Sequence, residues 1–486
     1  MSLIILPLDW LRLPSLTELF RAFGIGYGVI LFLLAIHILV SRRKHVAQLG
    51  GLTWRRNQFC RGWLITGDTG SGKTSSGINQ LAHQVFQNEK NWGGLCIDEK
   101  GVYWETLSAM ARHYGRTNDL IHLHIHDSEQ EGQPRHRFNL TGDRSIPFTT
   151  YAKFVVDTAT SLGQGGDKGF FKSQAQTHIA YALELLATLG KPVTLSGALE
   201  LLSSKPRLDE DLEFLGELTL QTPRRRVLND HFKHRFLDQP PEQLGGVRET
   251  IGNYLQYFLT PEVAEVFCVR ESTFQFSAID SGKIILVTMP QKFQTERRYV
   301  NTFLKLLFYN HALRRFDQAT ELRGANNILI LWADEAQRFM TASEDGTSDY
   351  NCVDVIREAG ATIVAAAQST TSLVPPLGND KSKVLTLNLR NRMIFRSADE
   401  GDAVQAADFL GKKRVVKRSW GSSAGKHNVN YSETEEHRIK PYQLRALRDH
   451  ECVLVHCENG FKRLTLPPLN TDGKIAAWFS RWRLFI

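Results

Sequence analysis

Gly67-Asp68-Thr69-Gly70-Ser71-Gly72-Lys73-Thr74 has the spacing G-x-x-x-x-G-K-[ST]. Glycines at these places let successive backbone N–H groups turn inward as an anion nest and let a phosphate approach the main chain. Lys73 is placed to neutralise β- and γ-phosphates, and the Thr74 hydroxyl to take one position on Mg²⁺. The helix that starts at Ser75 adds its positive end beneath them. A second group lies far along the chain, where Ile328-Leu329-Ile330-Leu331-Trp332-Ala333 runs into Asp334-Glu335. There Asp334 is read as the metal-side carboxylate, acting through water, and Glu335 as the general base that polarises the attacking water. An adjacent Asp-Glu pair marks a hydrolysing motor and argues against a small-molecule kinase. Gln368 closes the apolar run Ala361–Ala367, where a polar side chain can sense a γ-phosphate. Arg357 lies eleven positions before it, and Arg390 and Arg392 follow. An arginine supplied by a neighbouring subunit would stabilise charge in phosphoryl transfer.

The elements that must position these residues are legible around them. Trp63-Leu64-Ile65-Thr66 is a short buried-strand run before the loop, and Ile78, Leu81, Ala82 and Val85 fall at helical spacing after it. Gly94–Asp98, Ile121–His126 and Gly282–Val287 read as further strands. Alternating His122, His124 and His126 read as the polar face of a half-buried strand and not as a metal site. Between Thr158 and Val269 helical periods broken by Gly-Gly, Lys-Pro and Pro-Pro predict an all-helical insertion, with Arg224-Arg225-Arg226 as a solvated face. The fold class is therefore α/β, a nucleotide-binding domain interrupted by helices.

At 486 residues the chain exceeds one ordinary core. Its 59 basic and 51 acidic residues leave a net charge of +8, which suits nucleic acid or an anionic membrane surface without requiring either. Six scattered cysteines without a C-x-x-C pair read as reduced thiols. Residues 1–22, broken by Pro7, Pro14 and charges, read as a non-cytoplasmic or interfacial segment. Residues 23–40 are free of formal charge and long enough for a transmembrane helix, and Arg42, Arg43 and Lys44 set the downstream side as cytoplasmic. A basic connector (41–58), the first half of the nucleotide-binding domain (59–157), the helical insertion (158–269) and the second half (270–470) follow. An amphipathic tail (471–486) carries Ile475, Trp478, Phe479, Trp482 and Ile486 and docks either on a partner, at the membrane interface or on its own motor.

Taken together, GDTGSGKT, CIDEKG, RFNL at Arg137–Leu140, FFKSQAQ at Phe170–Gln176, GKIILVTMP, LILWADEAQRF, REAGATIVAAAQS and EEHRIKPYQLRAL resemble the membrane-anchored coupling proteins of conjugation and type IV secretion. That is the TraG/TraD group, relatives of the FtsK and HerA translocases. The resemblance implies a RecA-like P-loop ATPase domain with an inserted all-α domain, assembled as a homo-hexamer. It implies ATP and Mg²⁺ as cofactors, and DNA, single-stranded and bound without sequence preference, as the substrate that is moved. A relaxase or protein effectors and an inner-membrane secretion complex are the implied partners, with the chain single-pass in the bacterial inner membrane. By position, Lys73 and Thr74 match the phosphate loop, Asp334 and Glu335 the acidic pair, Gln368 the sensor, and Arg357 the trans-acting arginine. Many members have two spans around a periplasmic segment, whereas one clear span is legible here. Two other readings stay open: a substrate-recruiting platform without pumping, and a HerA/FtsK-like DNA motor outside secretion.

Overall fold

The computed structural model describes residues 45–126, 135–163, 169–218, 222–343, 346–423 and 426–482. The span expected at 23–40 lies outside them. Among the described residues no helix is long and apolar enough to cross a membrane.

Strands β1 (Ala47–Leu49) and β2 (Leu52–Trp54) form a small hairpin, followed by β3 (Trp63–Thr66), β4 (Gly93–Asp98) and β5 (Leu120–His124). After the helical segment come β6 (Ile284–Thr288), β7 (Leu329–Asp334), β8 (Ala361–Ala367) and β9 (Asn391–Ile394). A long hairpin, β10 (Lys412–Ser423) with β11 (Lys426–His437), precedes β12 (Glu451–His456) and β13 (Gly460–Thr465). Among the described residues one nine-stranded sheet has the order β13-β12-β9-β3-β8-β7-β4-β6-β5. From β9 to β5 neighbouring strands are parallel, whereas β12 and β13 add an antiparallel edge.

Strands buried on both faces explain the near-continuous apolar runs. Leu64, Leu95, Ile285 and Leu331 join one core, while Trp63, Ile65, Cys96, Leu286 and Trp332 join the other. The α-helices of six residues or more are numbered in chain order. On the second core lie α1 (Asn79–Asn88) and α2 (Tyr103–His113), which bury Leu81, Val85, Leu107 and Met110. On the first lie α3 (Phe148–Ser161), α4 (Gly169–Thr188), α5 (Leu195–Ser203), α6 (Lys205–Glu217), α7 (Pro223–Asp230), α8 (Pro241–Leu255) and α9 (Pro261–Phe267). All seven are inserted between β5 and β6. The helical texture thus begins at Phe148, ten residues before the expected boundary at 158. α10 (Gln294–Arg314) returns the chain to the sheet, and α11 (Asn379–Asn388), α12 (Glu400–Leu410) and α13 (Ala477–Trp482) complete it.

Two stretches differ from their sequence reading. Residues 46–58, read as a connector, are packed into the body: Trp54 is fully buried and its Nε1 donates to Asn391 Oδ1 at 2.8 Å. Arg392, named among the arginines that could reach a neighbouring subunit, is buried, with its guanidinium 3.3 Å from the Phe409 ring centroid and burial pulling its pKa down to about 9. On β5 the histidines alternate with buried Ile121 and Leu123, as a half-buried strand requires. All six cysteines are free thiols.

Close sheet packing leaves no room for a side chain at Gly94. A Cβ there would lie 1.9 Å from the Ile330 carbonyl oxygen on β7. Gly94→Ala should therefore cost about 3 kcal/mol in chemical denaturation. Gly252→Ala on α8, where a Cβ meets nothing within 4 Å, should instead stabilise by about 0.5–1 kcal/mol.

Candidate functional site

β3 stops at Thr66, and the chain turns at the carboxyl edge of the parallel sheet, where ligands of such sheets gather. Gly72 takes φ 104°, a left-handed conformation, and hands the chain to a wide first turn, Lys73–Ile78, in which Gly77 N–H reaches the Gly72 carbonyl at 3.2 Å. At the apex Gly70 has φ 84° and open space where a Cβ would sit. Lys73 is buried and donates to the carbonyls of Gly67 and Asp68 at 2.7 and 2.9 Å. Burial pulls its pKa below the usual lysine value, opposed by Glu335, Asp334 and Asp68. Within the loop Ser71 Oγ donates to Asp68 O at 2.8 Å. The carbonyl of Ser75 accepts from Leu469 N–H at 3.2 Å.

β7 lies two strands away, separated from β3 by β8. Its end brings Asp334 to the loop, with Thr74 Oγ1 donating to Asp334 Oδ2 at 3.2 Å. Glu335 follows at φ 52°, a left-handed position that a glutamate occupies only under constraint. Its Oε2 accepts from Gln337 Nε2 at 2.6 Å. Gln368 stands at the end of β8 with its side chain exposed, and its carbonyl accepts from Gly67 N–H at 3.3 Å. The fold thus gathers residues 67–75, Asp334, Glu335 and Gln368 at one edge.

Arg357 is not gathered there. It precedes β8 and so sits at the opposite end of that strand from Gln368, roughly 20 Å away by strand rise. Its side chain is 42% exposed, 3.7 Å from Glu358. Three further residues enter the site that loop motifs do not mark. Asp98, at the end of β4, is in register with Asp334 and accepts from the backbone of Val102 and Tyr103 at 3.0 and 2.9 Å. Arg396, after β9, binds Asp68 at 2.8 Å and Asp449 at 2.9 Å. His450 donates its N–H to Ser71 O at 2.8 Å. Asp98 was visible as an acidic strand end; Arg396 and His450 carried no local signal.

A divalent cation fits the acidic side. Burial, with Glu335 and Asp98 beside it, pushes Asp334 up to about 6. Asp98 is also raised, by burial first. The desolvated Asp334 carboxylate beside the Thr74 hydroxyl offers the oxygen donors a hard cation takes, while among the described residues no group of three or more carboxylate, imidazole or thiol side chains is placed to hold a metal ion. A phosphate fits the other side, where the open nest at Gly70 and the Lys73 ammonium converge.

The sequence model of one family, described as the type IV secretion-system coupling protein DNA-binding domain, matches residues 147–467, more than half of the chain. The chain belongs to that family. Solved structures agree on the fold of this coupling protein. The unbound bacterial conjugative coupling protein TrwBdeltaN70 is 15% identical, with TM-score 0.62 over 89% of this chain and 91% of that one. The plasmid coupling protein TrwB in complex with ADP and Mg²⁺ is 15% identical, with TM-score 0.61 over 88% of this chain and 90% of that one. TrwB with the non-hydrolysable ATP analogue ADPNP gives 15%, 0.61, 89% and 91%. No curated protein matches the coupling protein's sequence.

The buried carboxylate sets a pH dependence. Because the folded pKa of Asp334 lies above its unfolded value, its protonated form is tolerated at low pH, and that advantage is lost as pH rises from about 4 through about 6. Asp334→Asn should stabilise the metal-free protein at pH 7.5 by about 2 kcal/mol and have little effect at pH 4. The rise in melting temperature on adding Mg²⁺ should be larger at pH 7.5 than at pH 5 in the parent and absent in the variant, as thermal melts will show.

Proposed function

We propose that the protein is an ATP-driven motor that moves DNA as the coupling protein of conjugative transfer or type IV secretion, with ATP and Mg²⁺ as its cofactors. The observation that carries the reading is the apposition of Thr74 and Asp334, with Lys73 and Glu335 beside them. TrwB structures of the same fold hold ADP with Mg²⁺ and, in another case, an ATP analogue, which supports it.

In this reading the loop N–H groups and Lys73 bind the phosphates, giving up the contacts that Lys73 makes to Gly67 and Asp68. Thr74 and Asp334 would hold Mg²⁺, which supplies charge neutralisation at the β- and γ-phosphate oxygens. Glu335 takes a proton from the attacking water, and Gln368 orients that water. Arg357, far from its own chain's site, acts on a neighbour's in a homo-hexamer. The span at 23–40 anchors the chain in the inner membrane, beside the secretion complex and a relaxase or effector.

The grip on DNA has a suitable surface in the β10–β11 hairpin. Among the described residues its strands pair with one another over their whole length and with no other strand. Trp420 and Tyr431 are exposed on one face, with the Arg418 guanidinium 4.1 Å from the first ring centroid and 5.9 Å from the second. Residues 416–432 contain Lys417, Arg418 and Lys426 and no acidic residue. Cation and ring together suit a single strand held by charge and stacking.

Two measurements test this. Glu335→Gln should keep nucleotide binding and lower DNA-stimulated hydrolysis by about 10²–10⁴-fold; transfer of substrate that persists in that variant would favour the passive platform. Trp420→Ala should weaken single-stranded DNA binding about tenfold, and Arg418→Ala should flatten its salt dependence, both read by fluorescence anisotropy. Unchanged binding in both variants would move the grip elsewhere.

A further inference from the structure

Thr74 and Asp334 fix which end of the loop takes the terminal phosphate: the β8–β7 side of β3. A nucleotide held there must run its sugar and base toward the other side, where β9 and β12 lie. β12 is antiparallel to β9, so its first residues come up at the same carboxyl edge, and His450 immediately precedes them.

His450 is built into the loop. Its N–H donates to Ser71 O, its Nδ1 shares a 2.8 Å hydrogen bond with Ser76 Oγ, and a Cβ on Gly72 would lie 2.7 Å from the same nitrogen. It also has φ 66°. Among the described residues only Glu335 and His450 are non-glycine positions with positive φ, and both face the phosphate loop. Holding a histidine there costs on the order of a kilocalorie per mole or more, so the fold over-determines it.

The chain beyond β13 is drawn along the first turns of the loop helix. Leu469 N–H donates to Ser75 O at 3.2 Å, Gln80 Nε2 to Pro467 O at 2.8 Å, and His83 Nε2 meets Asn470 O at 2.8 Å. It ends in α13, where Phe479 is buried with its ring centroid 5.5 Å from that of His450. Trp478 also touches His450, at 5.3 Å, yet is 56% exposed. A large aromatic ring is thus propped by a strained residue of the loop wall and left more than half exposed.

We propose that Trp478, supported by His450, is the platform on which the base of the bound nucleoside triphosphate stacks, so that the C-terminal segment completes the nucleotide site. The proposal rests on the nucleotide-binding reading above and names a residue for the part of the ligand that the phosphate loop does not touch. Recognition by a π face reads no hydrogen-bond pattern, so either purine is accepted.

Equilibrium binding of ATP and of inorganic tripolyphosphate to the full-length protein separates a base contact from mere support of the loop. Trp478→Ala should weaken ATP about tenfold and leave tripolyphosphate within about twofold, while Trp478→Phe keeps most of the ATP affinity. Equal loss for both ligands would mean that the segment only braces the loop, and no loss for either would place the base elsewhere; each overturns the platform. A parent protein that binds tripolyphosphate but gains nothing from the base overturns the platform alone. A parent that binds neither ligand overturns the nucleotide reading with it.

Discussion

The structure depends on bringing a buried ammonium and a set of buried carboxylates to one edge of a sheet. Lys73 is desolvated and offset by Glu335, Asp334 and Asp68, and Asp334 is desolvated and flanked by Asp98 and Glu335. Charges in such surroundings interact far more strongly than in water, and each is costly if its partner is moved. Lys73 is satisfied by two loop carbonyls and Asp334 by Thr74. A phosphate and a cation would replace these internal contacts with stronger ones, so the site is poised for a ligand that carries both signs of charge.

Rigid neighbours hold that edge in place. The segment after Glu335 is tied down by Asp349, fully buried, which accepts from Lys305 on α10, from Tyr309 OH at 2.5 Å and from Thr341 N–H at 2.7 Å. The same helix begins at Gln294 and Arg298, both bonded to Glu99 beside Asp98. One helix therefore spans from the acidic end of β4 to the loop behind Glu335. A buried ion pair adds little net stability, but it fixes the geometry of the segment that follows Glu335. The β10–β11 hairpin shows the opposite design. Its base is held to α12 by His437 and Asp408 at 2.8 Å, while its far half exposes rings and cations.

Much of this was legible from local pattern. The strand-loop-helix of the phosphate site, the acidic end of β7 and the strand before Gln368 all follow from apolar runs that stop at a polar residue, because a strand buried on both faces must be apolar until it reaches the sheet edge. The helical segment was readable from its periods and its Pro and Gly breaks, apart from its start. The short β9 and the hairpins β10–β11 and β12–β13 were not read. Their alternation is diluted by charge, and two of these strands meet the main sheet only as its antiparallel edge.

By itself, then, the chain's order of residues determined which groups are on offer: a glycine-rich loop, a lysine, a threonine, an Asp-Glu pair and a polar strand end, each recognisable because local backbone requirements restrict residue types there. Only the tertiary structure decided which of them meet. Arg396 and Asp68 are 328 positions apart, and Ser76 and His450 are 374 apart. It also aligned Asp98 with Asp334, sent Arg357 to the far end of its strand and laid the C-terminal segment along the phosphate loop. Strand order carries those decisions, and it is set by which faces can be buried together, a property of the whole chain that no short window contains.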